Sequence, residues 1–271
     1  AALFGILILS TLIGILTTGI ESKLNSLRRG KSFVLESNHI VVIGWSSKIF
    51  SILTQLSHAY EKKGKFCVVI LADMDKVEME HKIKSQIARL NKQNKGLKFL
   101  KTVCRCGEAN NLADLEMVNP TNAKSIIIIR DGQNDTDSLN FKTSLALRKV
   151  TGGRLPCQLV IEMSDPMNID AIRHIDTKIH VVNPGDLIAR VLVQATREPG
   201  LSDVYDEILS FDGEEIYFTK SADTAGQSVV DVINGLQGTT FIGIRKKNGE
   251  TLLNPDHNLI IKDDDEIITI A

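Results

Sequence analysis

The stretch "NHIVVIGWSSKIF" (residues 38–50) decides the architecture. Five apolar or strand-prone residues run into Gly44, and an amphipathic helical pattern starts a few residues later. Strand, glycine turn and helix in that order open a dinucleotide-binding α/β unit. The G-x-G-x-x-G fingerprint is incomplete, because Ser46 replaces its second glycine and Ile49 its third. The second glycine normally gives a pyrophosphate access to the helix N-terminus, and the third lets helix and strand pack closely. Trp45 and Ser46 crowd the position a phosphate would take. Asp73, at the end of the next strand pattern, stands where a ribose-binding acid belongs. Gly44, Ser46 and Asp73 therefore outline a vestigial nucleotide cleft, and NAD or ATP is not the expected ligand.

Working outward, short and nearly continuous apolar runs recur at 39–44, 66–72, 97–103, 124–130, 157–163 and 178–182. Such runs suit parallel strands covered on both faces. Helical patterns separate them at about 47–63, 74–92, 110–118, 135–150 and 166–174. The alternation predicts a Rossmann-like, doubly wound parallel sheet over 37–182. Helices over 183–210 follow, including 186–197 and 201–209. A change of texture at Ser210 marks a small α+β subdomain, 211–271. It has alternating strands, a short helix, a hairpin turning at Asn248-Gly249 and a last strand after "KDDDE".

The first twenty residues, "AALFGILILSTLIGILTTGI", carry no charge, enough helix to cross a bilayer core. Lys23, Arg28, Arg29 and Lys31 follow in a basic linker, 21–36, which puts the remainder on the cytoplasmic side. One transmembrane helix is therefore expected at 1–20. Ser10, Gly14, Thr17 and Glu21 form a small and polar stripe along it. Helix–helix packing and a water-facing pore wall both explain such a stripe.

The net charge of −1 gives no basic field for nucleic acid. No G-x-S-x-G, H-E-x-x-H or Walker lysine is present, so an enzyme is not expected. Cys67, Cys104, Cys106 and Cys157 form no C-x-x-C pair and suit buried thiols in a reducing compartment. Carboxylates are more suggestive. Asp131, Asp135 and Asp137 follow the fourth strand in "RDGQNDTDS", a loop rich in oxygen ligands for a hard cation such as Ca²⁺. Asx turns and helix capping also explain such a loop. Glu162 and Asp165 end the next strand at the same sheet edge. Another acidic group, including Glu198, Asp212 and Glu214, lies at the junction with the small subdomain.

Several phrases are more specific. "SLRRGKS" (26–32), "NHIVVIGWSSKI" (38–49), "VIEMSDP" (160–166), "NPGDLIARVLVQATREPGLSDVYDEILSF" (183–211) and "LLNPDHNLI" (252–260) resemble the CASTOR/POLLUX family of ion channels gated by RCK (regulator of K⁺ conductance) domains. The resemblance covers nearly the whole chain and corresponds to the first RCK domain with its preceding pore-lining helix. It implies a homo-oligomeric cation channel, tetrameric or with a ring of eight RCK domains, in a plasma membrane or organelle envelope. It also implies a cytosolic gating ring regulated by Ca²⁺. On that resemblance Ser10, Gly14 and Thr17 become pore-facing, and helix 186–197 joins the crossover that pairs RCK domains. The Ca²⁺ candidates are Asp131, Asp135, Asp137, Glu162, Glu198, Asp212 and Glu214. The alternative is a nucleotide-sensing subunit of a K⁺ uptake system, with NAD or ATP in the Gly44 cleft.

Overall fold

A computed structural model describes residues 11–21, 30–61, 64–92, 100–129, 136–211, 213–221 and 224–271. It divides the chain into two compact units, residues 1–190 and 191–271.

The first unit contains six parallel strands: β1 (His39–Ile43), β2 (Phe66–Ala72), β3 (Leu100–Cys106), β4 (Ala123–Ile128), β5 (Gln158–Glu162) and β6 (Ile179–Val182). Their order is β3-β2-β1-β4-β5-β6. Strand order reverses between β1 and β4, opening a crevice at the carboxyl ends of the strands. Helices α2 (Lys48–Ala59), α3 (Lys76–Lys92), α4 (Leu112–Met117), α5 (Thr136–Val150) and α6 (Pro166–Arg173) make the connections, with α1 being the described helical residues 11–21.

The two-residue period of the strands builds two cores. Val41, Ile43, Val69, Leu71, Ile126 and Ile128 enter one. Ile40, Val42, Val68 and Ile70 enter the other, together with Ile49 and Leu53 of α2. Coverage on both faces is why these strands read as unbroken apolar runs. Ile49 is fully buried. The third fingerprint glycine has thus been replaced by a core side chain, filling space that a glycine keeps open for close approach.

The predicted basic linker divides. Residues 22–29 lie outside the described residues, whereas 30–38 are bound along the Rossmann unit. Val34 is fully buried, and its N–H donates to the Met117 carbonyl at 2.8 Å. Asn38 N–H donates to the Asn122 carbonyl at 2.8 Å. Arg105 Nε donates to the Ser32 carbonyl at 2.6 Å. Lys31 pairs with Asp114 at 2.8 Å and Lys101 with Glu36 at 2.7 Å. These partners are distant in sequence, so the linker's polar composition did not reveal its docking.

The predicted membrane span is only partly described, since residues 1–10 lie outside. Residues 11–21 are helical and exposed throughout. Among the described residues no helix is long and apolar enough to cross a membrane.

Helix α7 (Pro184–Arg197) runs from the first unit into the second, and α8 (Leu201–Leu209) follows. Leu187, Ile188, Leu192 and Val193 on α7 are exposed. The second unit carries an antiparallel sheet, ordered β7 (Ile216–Lys220), β10 (Glu266–Ile270), β8 (Thr240–Arg245) and β9 (Thr251–Leu253), with α9 (Val229–Gly235). Val229, Val232, Ile244, Ile261 and Ile267 form its core. The hairpin turns as expected: Gly249 has φ +87° and its N–H donates to the Lys246 carbonyl at 2.8 Å.

Candidate functional site

A cleft of about 480 Å³ occupies the crevice where strand order reverses. Its lining includes Gly44 and Trp45 after β1, Asp73 and Met74 after β2, and Gly107–Asn110 after β3. Thr136 and Asn140 of α5 contribute from the other side. The fold thus brings two of the three predicted cleft residues, Gly44 and Asp73, into one cavity.

Gly44 is required by the backbone. Its φ is +103°, and a Cβ there would stand 2.6 Å from the Ile129 carbonyl oxygen. Its N–H donates to the Leu71 carbonyl at 2.9 Å. This glycine therefore closes the β1–β4 junction whether or not a ligand is present. Ser46 is not among the cleft-lining residues, and its Oγ accepts the Lys48 N–H at 3.3 Å. Ser47 occupies the α2 N-cap without a side-chain capping bond. Trp45 meets Phe50 edge-on at 6.1 Å between centroids. An indole therefore lines the cavity beside the position where the fingerprint's second glycine leaves bare backbone.

The carboxylates are placed less uniformly. Asp137 is buried, and its Oδ2 accepts the N–H groups of Ser164 and Asp165 at 2.7 and 2.6 Å. Its Oδ1 is also buried and has no hydrogen-bond partner among the described residues. A lone buried carboxylate oxygen is costly to leave unmatched. Glu162 is engaged by Lys48 through Oε1, and its carbonyl accepts Asn140 Nδ2 at 2.8 Å. Asp165 caps α6, accepting the Met167 N–H at 2.9 Å. Asp131, Asp135 and Asp212 lie outside the described residues. Glu198 and Glu214 are exposed. Among the described residues no three His, Cys, Asp or Glu side chains converge as a metal site.

Of the predicted pore stripe, Ser10 lies outside the described residues. Gly14 sits in a shallow groove with Thr11, Ile15, Thr18 and Gly19. Thr17 is not part of that groove, and its hydroxyl donates back to the Ile13 carbonyl at 2.8 Å.

Sequence reasoning missed the wall formed after β3. Gly107 N–H donates to the Ala72 carbonyl at 3.0 Å, tying this wall to the end of β2. Asp114, in the first turn of α4, accepts the Glu108 N–H on Oδ2 at 2.9 Å and binds Lys31 through Oδ1. That hydrogen bond raises the Lys31 pKa. A glycine directly after β3 was the available signal. Its contact with α4 is visible only in three dimensions.

Comparison with known proteins gives this geometry a context. The human SLO3 gating ring superposes with a TM-score of 0.55 at 16% identity, covering 86% of this chain and 44% of that one. The chain therefore shares its fold with that structure: a Rossmann-type unit and a second, smaller unit. Residues 185–271 match the family model described as "Castor and Pollux, part of voltage-gated ion channel". The chain is 34% identical over 271 residues to the probable ion channel POLLUX of Arabidopsis thaliana, covering 98% of this chain and 32% of that protein. It is 33% identical over 272 residues to the ion channel CASTOR of Lotus japonicus, covering 98% and 31%. This chain is thus similar in sequence to the CASTOR and POLLUX ion channels over nearly its whole length, and it spans about a third of theirs.

Proposed function

We propose that this chain is a ligand-sensing gating-ring unit of a cation channel, working in a tetramer and coupling ligand binding to pore opening. The observation that carries the reading is continuity. Similarity to ion channels extends over 98% of the chain, from the apolar N-terminal region through the bound 30–38 segment into both folded units. A segment held by several hydrogen bonds and ion pairs transmits displacement where a slack linker does not. The exposed apolar side chains of α7 support assembly with other copies. The reading assigns no catalytic role to any residue.

Ca²⁺ is the proposed regulatory ligand. Support comes from Asp137, whose buried Oδ1 lacks a described partner and which follows Asp131 and Asp135 closely in sequence. Such a ligand shifts gating only if it binds the open and closed states with different affinity. Calorimetric titration of the whole chain in detergent tests this proposal. Heat with Ca²⁺ that is lost when Asp131, Asp135 and Asp137 are all changed to Asn supports it, and a flat Ca²⁺ titration overturns it.

A second reading rests on the cleft itself, which Gly44 and Asp73 both line. It predicts heat with NAD or ATP, abolished by Asp73→Asn.

A further inference from the structure

The bound segment 30–38 and the cleft wall share one side chain, Asp114. We propose that Asp114 is a latch through which the conformation of the Gly107–Asn110 wall controls the hold on Lys31, and so on the segment leading toward the pore helix. Its purpose rests on the gating-ring reading, but its mechanics are measurable without channel activity.

The geometry leaves little slack. Oδ2 of Asp114 accepts the Glu108 N–H, while Oδ1 receives Lys31 Nζ at 2.8 Å. A Cβ added to Gly107 would stand 2.7 Å from Asp114 Cγ and 2.8 Å from its Cβ. The wall thus rests directly on the carboxylate-bearing side chain. Gly107 and Glu108 both line the cleft. A ligand that draws this wall inward or presses it outward therefore moves the group that holds Lys31. Asp114 also lies in the first turn of α4, where a carboxylate is favoured by the helix dipole.

The other fastenings of the segment use different groups. Arg105 and Lys101 of β3 hold Ser32 and Glu36, while the Met117 carbonyl holds Val34. Gly30, just ahead of Lys31, is buried against Cys106 and Lys76, so releasing Lys31 removes the ion-pair hold at the leading end while these other attachments remain. The pair is partly exposed, with Lys31 at 46% and Asp114 at 13% side-chain exposure, so its contribution is small. Small is what a reversible contact requires.

Hydrogen exchange of the whole chain in detergent tests the latch, with the peptide spanning 30–36 as readout. Lys31→Gln is expected to speed exchange there by about two- to fivefold. Gly107→Ala, which alters the cleft wall and displaces Asp114, is expected to produce a similar increase. The double variant should exceed neither single variant by more than experimental error, because both open the same contact. Unchanged exchange in Gly107→Ala, or additive effects, would overturn the proposal. Asp114→Asn keeps the side-chain shape and an acceptor for Glu108 while removing the charge. It should match Lys31→Gln with β5 exchange unaltered, and wild-type exchange at 30–36 in this variant would also refute the latch. A flat Ca²⁺ titration alongside a working latch would count against the Ca²⁺ proposal alone.

Discussion

Replacing Gly44 with Ala separates a structural role from a ligand-binding one. At φ +103° an L-residue pays a conformational penalty of about 1–2 kcal/mol. The new Cβ also meets the Ile129 carbonyl at 2.6 Å, and this backbone atom has no rotamer through which to retreat. The ends of β1 and β4 must separate, weakening the bond from Ile129 N–H to the Ile43 carbonyl, which is 3.0 Å long. That bond contributes about 1 kcal/mol. Together these effects predict a loss of about 3 kcal/mol in the first unit, or a Tm lower by about 6–12 °C. Gly64 is the internal control, because its φ is +90° but, among the described residues, no atom stands within 4 Å of an added Cβ. Gly64→Ala should therefore show only the conformational penalty. Urea and thermal unfolding, followed by far-ultraviolet circular dichroism without ligand, measure both variants. A loss below about 0.5 kcal/mol in Gly44→Ala would refute the reasoning, leaving the glycine to be explained by something that approaches its backbone.

Restoring the fingerprint should be costly. Ile49→Gly removes a fully buried side chain and weakens α2, lowering stability by about 3–6 kcal/mol in denaturant titrations. Ser46→Gly should be nearly neutral. Burial pushes the Cys104 thiol up to about 12 and the Cys67 thiol up to about 11, so iodoacetamide at pH 8 should leave both unmodified in the folded chain. Unfolded thiols ionise near 9.0 while these two retain their protons, so their contribution to stability is intact below pH 9 and declines as pH rises toward 12. Denaturant titrations across that range would show the decline. In the second unit Ser228 and Asp231 form a capping box on α9. Ser228→Ala should cost about 1 kcal/mol, visible as faster hydrogen exchange over α9.

Physical causes divide what the sequence disclosed from what it withheld. The central strands β1 and β2 were legible because both of their faces are buried, which demands apolar residues without alternation. The hairpin at Asn248-Gly249 was legible because its third loop position requires positive φ. The 30–38 segment was not, since its fastening depends on Arg105, Asp114 and Met117, more than seventy residues away. Asp137 was recognised as a candidate, but its double acceptance from the β5–α6 turn depends on a crossover that no local pattern encodes. Gly44 was correctly singled out as a turn glycine. Its contact with Ile129 adds a reason to keep it that does not depend on a nucleotide.

Channel recording tests the central claim most directly. In a channel whose subunits carry this chain, Ca²⁺ is stepped on the side bearing the gating ring while single-channel open probability is followed. The account predicts that open probability changes with Ca²⁺ and that the response is blunted when Asp131, Asp135 and Asp137 are all changed to Asn. Open probability independent of Ca²⁺ across the titration would contradict it.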